Sequence, residues 1–250
     1  MIEMEAISNA MKAVYEWQMA IPGFGEAAQA KLGSSTALIS RCGGIGGPLA
    51  YHLVGAGIGR LIIAHGGNVK PGDLNRQILM THDWVDKPRI ESIVRRLREY
   101  GPFVKVEGIG ENISPGNVAE LVGRADIVFD CAPLFEERYL MNRECVLQRK
   151  PMIEAAMYGM EGQVTTIIPG QTPCLRCIYP EQPPAWKRRF PVLGAVSAMA
   201  GAIGAIEGIK VLTGLGTTLG GTLLFFDAGS MTFQRIPITR NPDCPVCGEV

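Results

Sequence analysis

Neither sign of charge is in excess: Lys and Arg number 24, Asp and Glu number 24, and only three histidines accompany them. No bulk attraction to nucleic acid or to an acidic membrane surface is expected. Aromatic residues make up 7% and charged residues 19%, against 47% hydrophobic. That balance excludes a disordered chain and supplies a sizeable core. The sequence lacks low-complexity tracts, internal repeats and an interdomain linker. The stretch MIEMEAISNAMKAVYEW at 1–17 has no basic segment followed by a long apolar one, so no export signal is expected. Seven cysteines in such a chain read as reduced thiols and metal ligands rather than disulfides, and the expected compartment is the cytoplasm. One run, VLGAVSAMAGAIGAIEGIKVL at 192–212, has the length of a membrane span. Glu207 and Lys210 interrupt it and Gly and Ala dominate, so it reads as a buried helix packed through small residues, and no membrane partner is expected.

What is present is an alternation of apolar runs and helical patterns. Residues 4–16 read as helix. TALIS at 36–40 is a short strand, followed by the glycine-rich CGGIGGP at 42–48, a helical stretch and a second strand at 61–64. Strand, glycine turn, helix, strand is a βαβ unit. Helical periodicity returns at 87–100, with strands expected at 104–107 and 126–130, a short helix at 118–122, a helix at about 136–149 and a strand at 151–155. This order predicts a doubly wound parallel sheet that binds ligands beyond the carboxyl ends of its strands. After 160 the runs 163–168, 221–226 and 231–236 alternate as antiparallel strands do. The fold class expected is therefore α/β, a Rossmann-like mixed sheet, parallel first and antiparallel later. All 250 residues are read as one domain, with a helical extension at 1–34, a nucleotide-binding-type core at 35–155 and an antiparallel, zinc-binding part at 156–250. PEQPPAWKRRFP at 180–191 reads as a crossover loop.

Cys174-Leu-Arg-Cys177 and Cys244-Pro-Val-Cys247 are two CxxC pairs in proline-containing turns. One such turn offers two thiolates to a metal, and two complete a tetrahedron. Redox CxxC pairs normally open a helix close to a βαβ unit, which these do not. The expectation is one structural Zn²⁺, with no open position for catalysis. Cys42, Cys131 and Cys145 read as structural thiols.

Many motifs, in order, resemble the ThiF/MoeB/HesA family, prokaryotic relatives of ubiquitin-activating enzymes. They include QMAIPGFGEAAQAKL at 18–32, GGIGGP at 43–48, GIGR at 57–60, DLNRQ at 73–77, DKPR at 86–89, DIVFDCAPLFEERYLMN at 126–142, EGQVTTIIPGQTPCLRC at 161–177 and NPDCPVCG at 241–248. The resemblance implies ATP- and Mg²⁺-dependent adenylation of a carboxylate, the C-terminus of a ubiquitin-like sulfur-carrier protein or a small molecule, by a homodimer. It places Arg76 and Lys87 on the phosphates, Asp130 on Mg²⁺, and Gly43, Gly44, Gly46, His65 and Asn75 around the nucleotide.

The departures from the pattern cluster on that nucleotide. The first glycine of the family's G-x-G-G-x-G is Arg41. The acid that ends the second strand and accepts from the ribose hydroxyls is His65, the next family acid is Gly67, the N-terminal R-Q is Trp17-Gln18, and the Asn of S-N-L-x-R-Q is Asp73. Many members carry a cysteine in the crossover loop; 185–191 has none. The adenylyltransferase reading therefore stands beside a non-catalytic one, a scaffold or partner with a degenerate ATP site. A dinucleotide-dependent oxidoreductase fits poorly, because the strict G-x-G-x-x-G and the strand-end acid are missing.

Overall fold

A computed structural model describes residues 8–183 and 190–249. Two helices come first, α1 (Asn9–Met19) and α2 (Gly25–Ser34). They are followed by β1 (Thr36–Ser40), α3 (Gly46–Gly55), β2 (Arg60–Ala64), α4 (Arg89–Tyr100), β3 (Lys105–Ile109), α5 (Val118–Gly123), β4 (Ile127–Asp130), α6 (Phe135–Leu147) and β5 (Met152–Tyr158). The rest is β6 (Glu161–Ile167), α7 (Leu175–Ile178), α8 (Gly194–Thr213), β7 (Thr222–Asp227) and β8 (Thr232–Pro237).

The strands form one sheet in the order β3-β2-β1-β4-β5-β6-β7-β8. The first five pair in parallel and the last three add antiparallel. This is the mixed sheet that the hydrophobic runs predict. β1, β2 and β4 are almost wholly buried, because helices cover both faces of the parallel half. β8, at the edge, is exposed along its whole length.

α4 begins at Arg89 rather than 87, because Pro88 holds the residue before it out of the helix, and Asp86 turns with φ 65°. Part of the helix expected at 4–16 lies outside the described residues. What is described starts at Asn9, where Ser8 Oγ accepts from Met11 N at 3.2 Å.

α8 is, among the described residues, the one helix long and apolar enough to cross a membrane. Here it lies across the sheet and against α3. A Cβ at Gly201 would come within 2.4 Å of Ile45 O, and one at Gly208 within 2.2 Å of the Phe129 ring, so the small residues are what allow the approach. Glu207 is buried, accepts from Thr166 Oγ1 at 2.6 Å and Leu219 N at 2.7 Å, and pairs with Lys210.

Candidate functional site

The strand order reverses direction between β1 and β4, whose carboxyl ends face the same crevice, the place where open α/β sheets bind ligands. A cavity of 670 Å³ opens there, lined by Gly43, Gly44, His65, Arg76, Arg89 and Arg138 among others. The glycine turn enters it from β1. Gly43 N donates to Arg41 O at 2.6 Å, and Gly47 N to Gly43 O at 2.8 Å, which starts α3. A Cβ at Gly44 would stand 2.9 Å from Ser197 Oγ, and one at Gly46 2.7 Å from Arg41 O, so backbone must pass bare at both positions. The first N–H groups of a helix have no partner within it, which makes the start of α3 an anion-binding element.

Arg76 lines this cavity. Its Nη1 donates to Gly72 O at 2.6 Å and to Asn75 Oδ1 at 2.9 Å, so Asn75, itself exposed and off the cavity wall, braces the arginine. The second cation on the cavity wall differs from the one the sequence leads one to expect. Lys87 does not line the cavity; its Nζ donates to Asp83 O at 2.9 Å and sits 4.9 Å from the centre of the Trp84 ring. Two residues later Arg89 does line it, because α4 starts there and carries it inward. Arg89 Nη2 donates to Asp73 Oδ2 at 2.7 Å. Lys70 and Arg138 also line the cavity, and neither carries a sequence signal of its own. Arg138 falls within the 126–142 motif.

Asp130 ends β4 as expected, but it is fully buried and off the cavity wall. Its Oδ1 accepts from Ala132 N at 3.1 Å, while Oδ2 accepts no hydrogen bond and stands 3.5 Å from Arg138 Nε. Burial raises its pKa, against the pull of Arg138. Arg138 also donates to Ala132 O at 2.9 Å and to Glu154 Oε1 and Ala155 O, each at 3.2 Å. Burial pushes Glu154 up to about 7 despite Arg138.

His65, at the end of β2, is 3% exposed. Burial first, then the charges of Arg89 and Arg41, holds its pKa down to about 3, so the ring is neutral. Arg41 keeps a left-handed backbone, φ 58°, the region glycine prefers, and carries its side chain onto Glu137. Gly67 is also left-handed, φ 86°, and its carbonyl accepts from Arg89 N at 3.0 Å. Trp17 is 89% exposed on α1 and lines no part of the cavity. Residues 184–189, half of the crossover loop, lie outside the described residues.

A second centre lies away from this crevice. The Sγ atoms of Cys174, Cys177, Cys244 and Cys247 all fall within 4.8 Å of one another, with Cys174–Cys244 at 3.7 Å and Cys177–Cys247 at 3.4 Å. Four thiolates around one Zn²⁺ at ~2.3 Å stand about 3.8 Å apart, so the cluster has the dimensions of a metal site. Cys177 Sγ also accepts from Asn241 N at 3.5 Å, and Asn142 Oδ1 takes Leu175 N at 2.8 Å, which pins the first knuckle to α6. Cys42, Cys131 and Cys145 are buried, with no more than 7% exposure, and Cys131 borders the cavity.

The family model described as the ThiF family matches residues 15–246. The chain belongs to that family. It is 48% identical over 234 residues to protein HesA, heterocyst, of Trichormus variabilis, a match spanning 94% of this chain and 88% of that protein. It is 34% identical over 244 residues to the sulfur carrier protein adenylyltransferase of Thermus thermophilus, spanning 94% and 90%. E. coli MccB with ATP superposes with a TM-score of 0.80 at 25% identity, over 89% of this chain and 70% of that one. MccB with MccA-N7isoASN gives 0.84 at 24% identity, over 97% and 76%, a likeness of fold.

Proposed function

We propose that the chain is an adenylyltransferase that activates a carboxylate with ATP. The observation that supports this reading best is the convergence of Arg76, Arg89 and Arg138 with the bare glycine turn on one cavity at the strand-order switch. Guanidinium groups and helix-start N–H groups suit a triphosphate. In the reaction a carboxylate oxygen attacks the α-phosphorus, the bond to the bridging oxygen breaks, and pyrophosphate leaves with its electron pair. Arg76 and Arg89 hold and neutralise the departing phosphates. Asp130 Oδ2 accepts no hydrogen bond and faces Arg138 Nε at 3.5 Å, so the carboxylate would hold a Mg²⁺ arriving with the nucleotide only by turning from Arg138 toward the cavity; the ion would add positive charge on the phosphates. The acyl-adenylate then passes to an outside nucleophile, since the loop at 185–191 holds no cysteine.

The substrate on this reading is the C-terminal carboxylate of a ubiquitin-like sulfur-carrier protein or a small carboxylic acid. The working form is a cytoplasmic homodimer, and the four cysteines hold a structural Zn²⁺. A second reading, a non-catalytic partner protein, is favoured by one feature, the buried Arg41–Glu137 ion pair beside the cavity. ATP–pyrophosphate exchange with Mg²⁺ tests the choice. Exchange that disappears in Arg76→Ala supports adenylation. No exchange together with no ATP binding at millimolar concentration sinks it in favour of the second reading.

A further inference from the structure

The crevice does not end at His65. A second hollow of 710 Å³ adjoins it, lined by Glu111, Asn112, Ser114, Glu136, Glu137 and Leu140, and Arg41 lines both. Arg41 donates from Nε to Glu137 Oε2 at 2.8 Å and from Nη2 to Oε1, and the two side chains are only 10% and 8% exposed. A two-point guanidinium–carboxylate pair held this dry is strongly directional. Arg41 lines both spaces and Glu137 lines the second, so the pair lies where the two hollows meet.

On the nucleotide reading above, phosphates lie at the glycine turn, Arg76 and Arg89. The ribose faces the end of β2 at His65. The segment that follows β3 supplies Glu111, Asn112 and Ser114 to the second hollow, on the far side of Arg41. We propose that the Arg41–Glu137 pair is a selectivity partition: the site admits a polyphosphate freely, and a nucleoside reaches the second hollow only by opening the pair. Arg41 is thus a specificity-determining residue that acts against the nucleoside rather than for the phosphate. Glu137 takes two of its donor atoms, Nε and Nη2, whereas Arg89 gives Asp73 only Nη2 and keeps Nε without a hydrogen-bond partner, so Arg41 is not a phosphate ligand in this arrangement. Glycine at position 41 would keep the left-handed backbone and remove the pair.

The test compares two ligands, ATP and inorganic tripolyphosphate, by calorimetry on the intact chain. Arg41→Gly is expected to tighten ATP by about tenfold or more, on the scale of losing one opposing charged contact. Tripolyphosphate, which does not reach past His65, stays within about twofold of the parent. Glu137→Gln, which keeps the shape and breaks the charge pairing, moves the ratio of the two affinities in the same direction and carries the test if the glycine variant does not fold. An unchanged ratio, or weaker ATP binding relative to tripolyphosphate, overturns the partition. Pyrophosphate exchange measured alongside separates the two ideas. Exchange without a ratio shift removes the partition alone, and a ratio shift without exchange removes adenylation alone.

Discussion

Arg89 and Asp73 form a buried ion pair, Nη2 to Oδ2 at 2.7 Å, that joins the first turn of α4 to the loop after β2. Asp73 also accepts from Lys70 N at 2.9 Å and Gln77 Nε2 at 2.8 Å. An asparagine at this position would accept such bonds through one oxygen and bring no charge. The aspartate therefore answers a local need: a guanidinium carried inward by α4 requires a counter-charge. Asp73→Asn should cost about 1.5–3 kcal/mol, the scale of a hydrogen bond to a charged group. In a chain of this size that is a fall in Tm of several degrees. Thermal unfolding checks it, and an unchanged Tm would mean that Arg89 finds another partner.

Lys87 and Arg89 give a direct contrast. Arg89→Ala should weaken tripolyphosphate binding by about tenfold to a hundredfold, the range for a lost charge-assisted contact. Lys87→Ala should leave it unchanged, because the Lys87 ammonium is spent on Asp83 O and the Trp84 ring. Titration calorimetry on the two variants decides the matter; loss of binding in Lys87→Ala would place the lysine back on the phosphates.

The difference between these two residues shows what the sequence could and could not reveal. Hydrophobic periodicity marked the strands and the antiparallel switch, because burial imposes a spacing that can be counted. The CxxC pairs were legible for the same reason, since thiolate geometry demands that spacing. Side-chain direction is not encoded that way. Whether Lys87 or Arg89 faces the crevice depends on Pro88 setting the start of α4, a matter of one residue's phase. The pairing of Arg41 with Glu137 joins residues 96 positions apart, and only the packing of α6 against the glycine turn brings them together.

His65 should give the protein an acid-sensitive stability. Its pKa falls from 6.5 to about 3 on folding, burial being the first cause. The unfolded chain therefore binds more protons between those values. The contribution of the neutral ring is fully present above pH 6.5 and is lost as the pH drops through the window toward 3. Between pH 7 and 4.5 the loss should reach about 2–3 kcal/mol. Urea unfolding of the parent and of His65→Gln at both pH values reads it as a shallower acid slope in the variant. Identical slopes would assign the acid sensitivity to other groups.

Metal removal should act at a distance from the crevice. The four cysteines join the segment after β6 to the chain's last turns, a long loop whose closure the metal would fix. Purified under reducing conditions, the protein should carry one Zn²⁺ per chain, and Cys174→Ser/Cys247→Ser should carry none. Because four protein thiolates leave no position open, zinc loss should lower the unfolding midpoint while tripolyphosphate affinity at the crevice stays near that of the parent. Plasma emission spectrometry gives the metal content, denaturant titration the midpoint, and calorimetry the affinity. Metal-free parent protein with an unaltered midpoint would show that these four sulfurs are gathered by packing alone. If zinc loss abolished anion binding in a chain that remained folded, the metal would have to be coupled to the crevice through α6, the helix whose Asn142 holds the first knuckle and whose Arg138 lines the cavity.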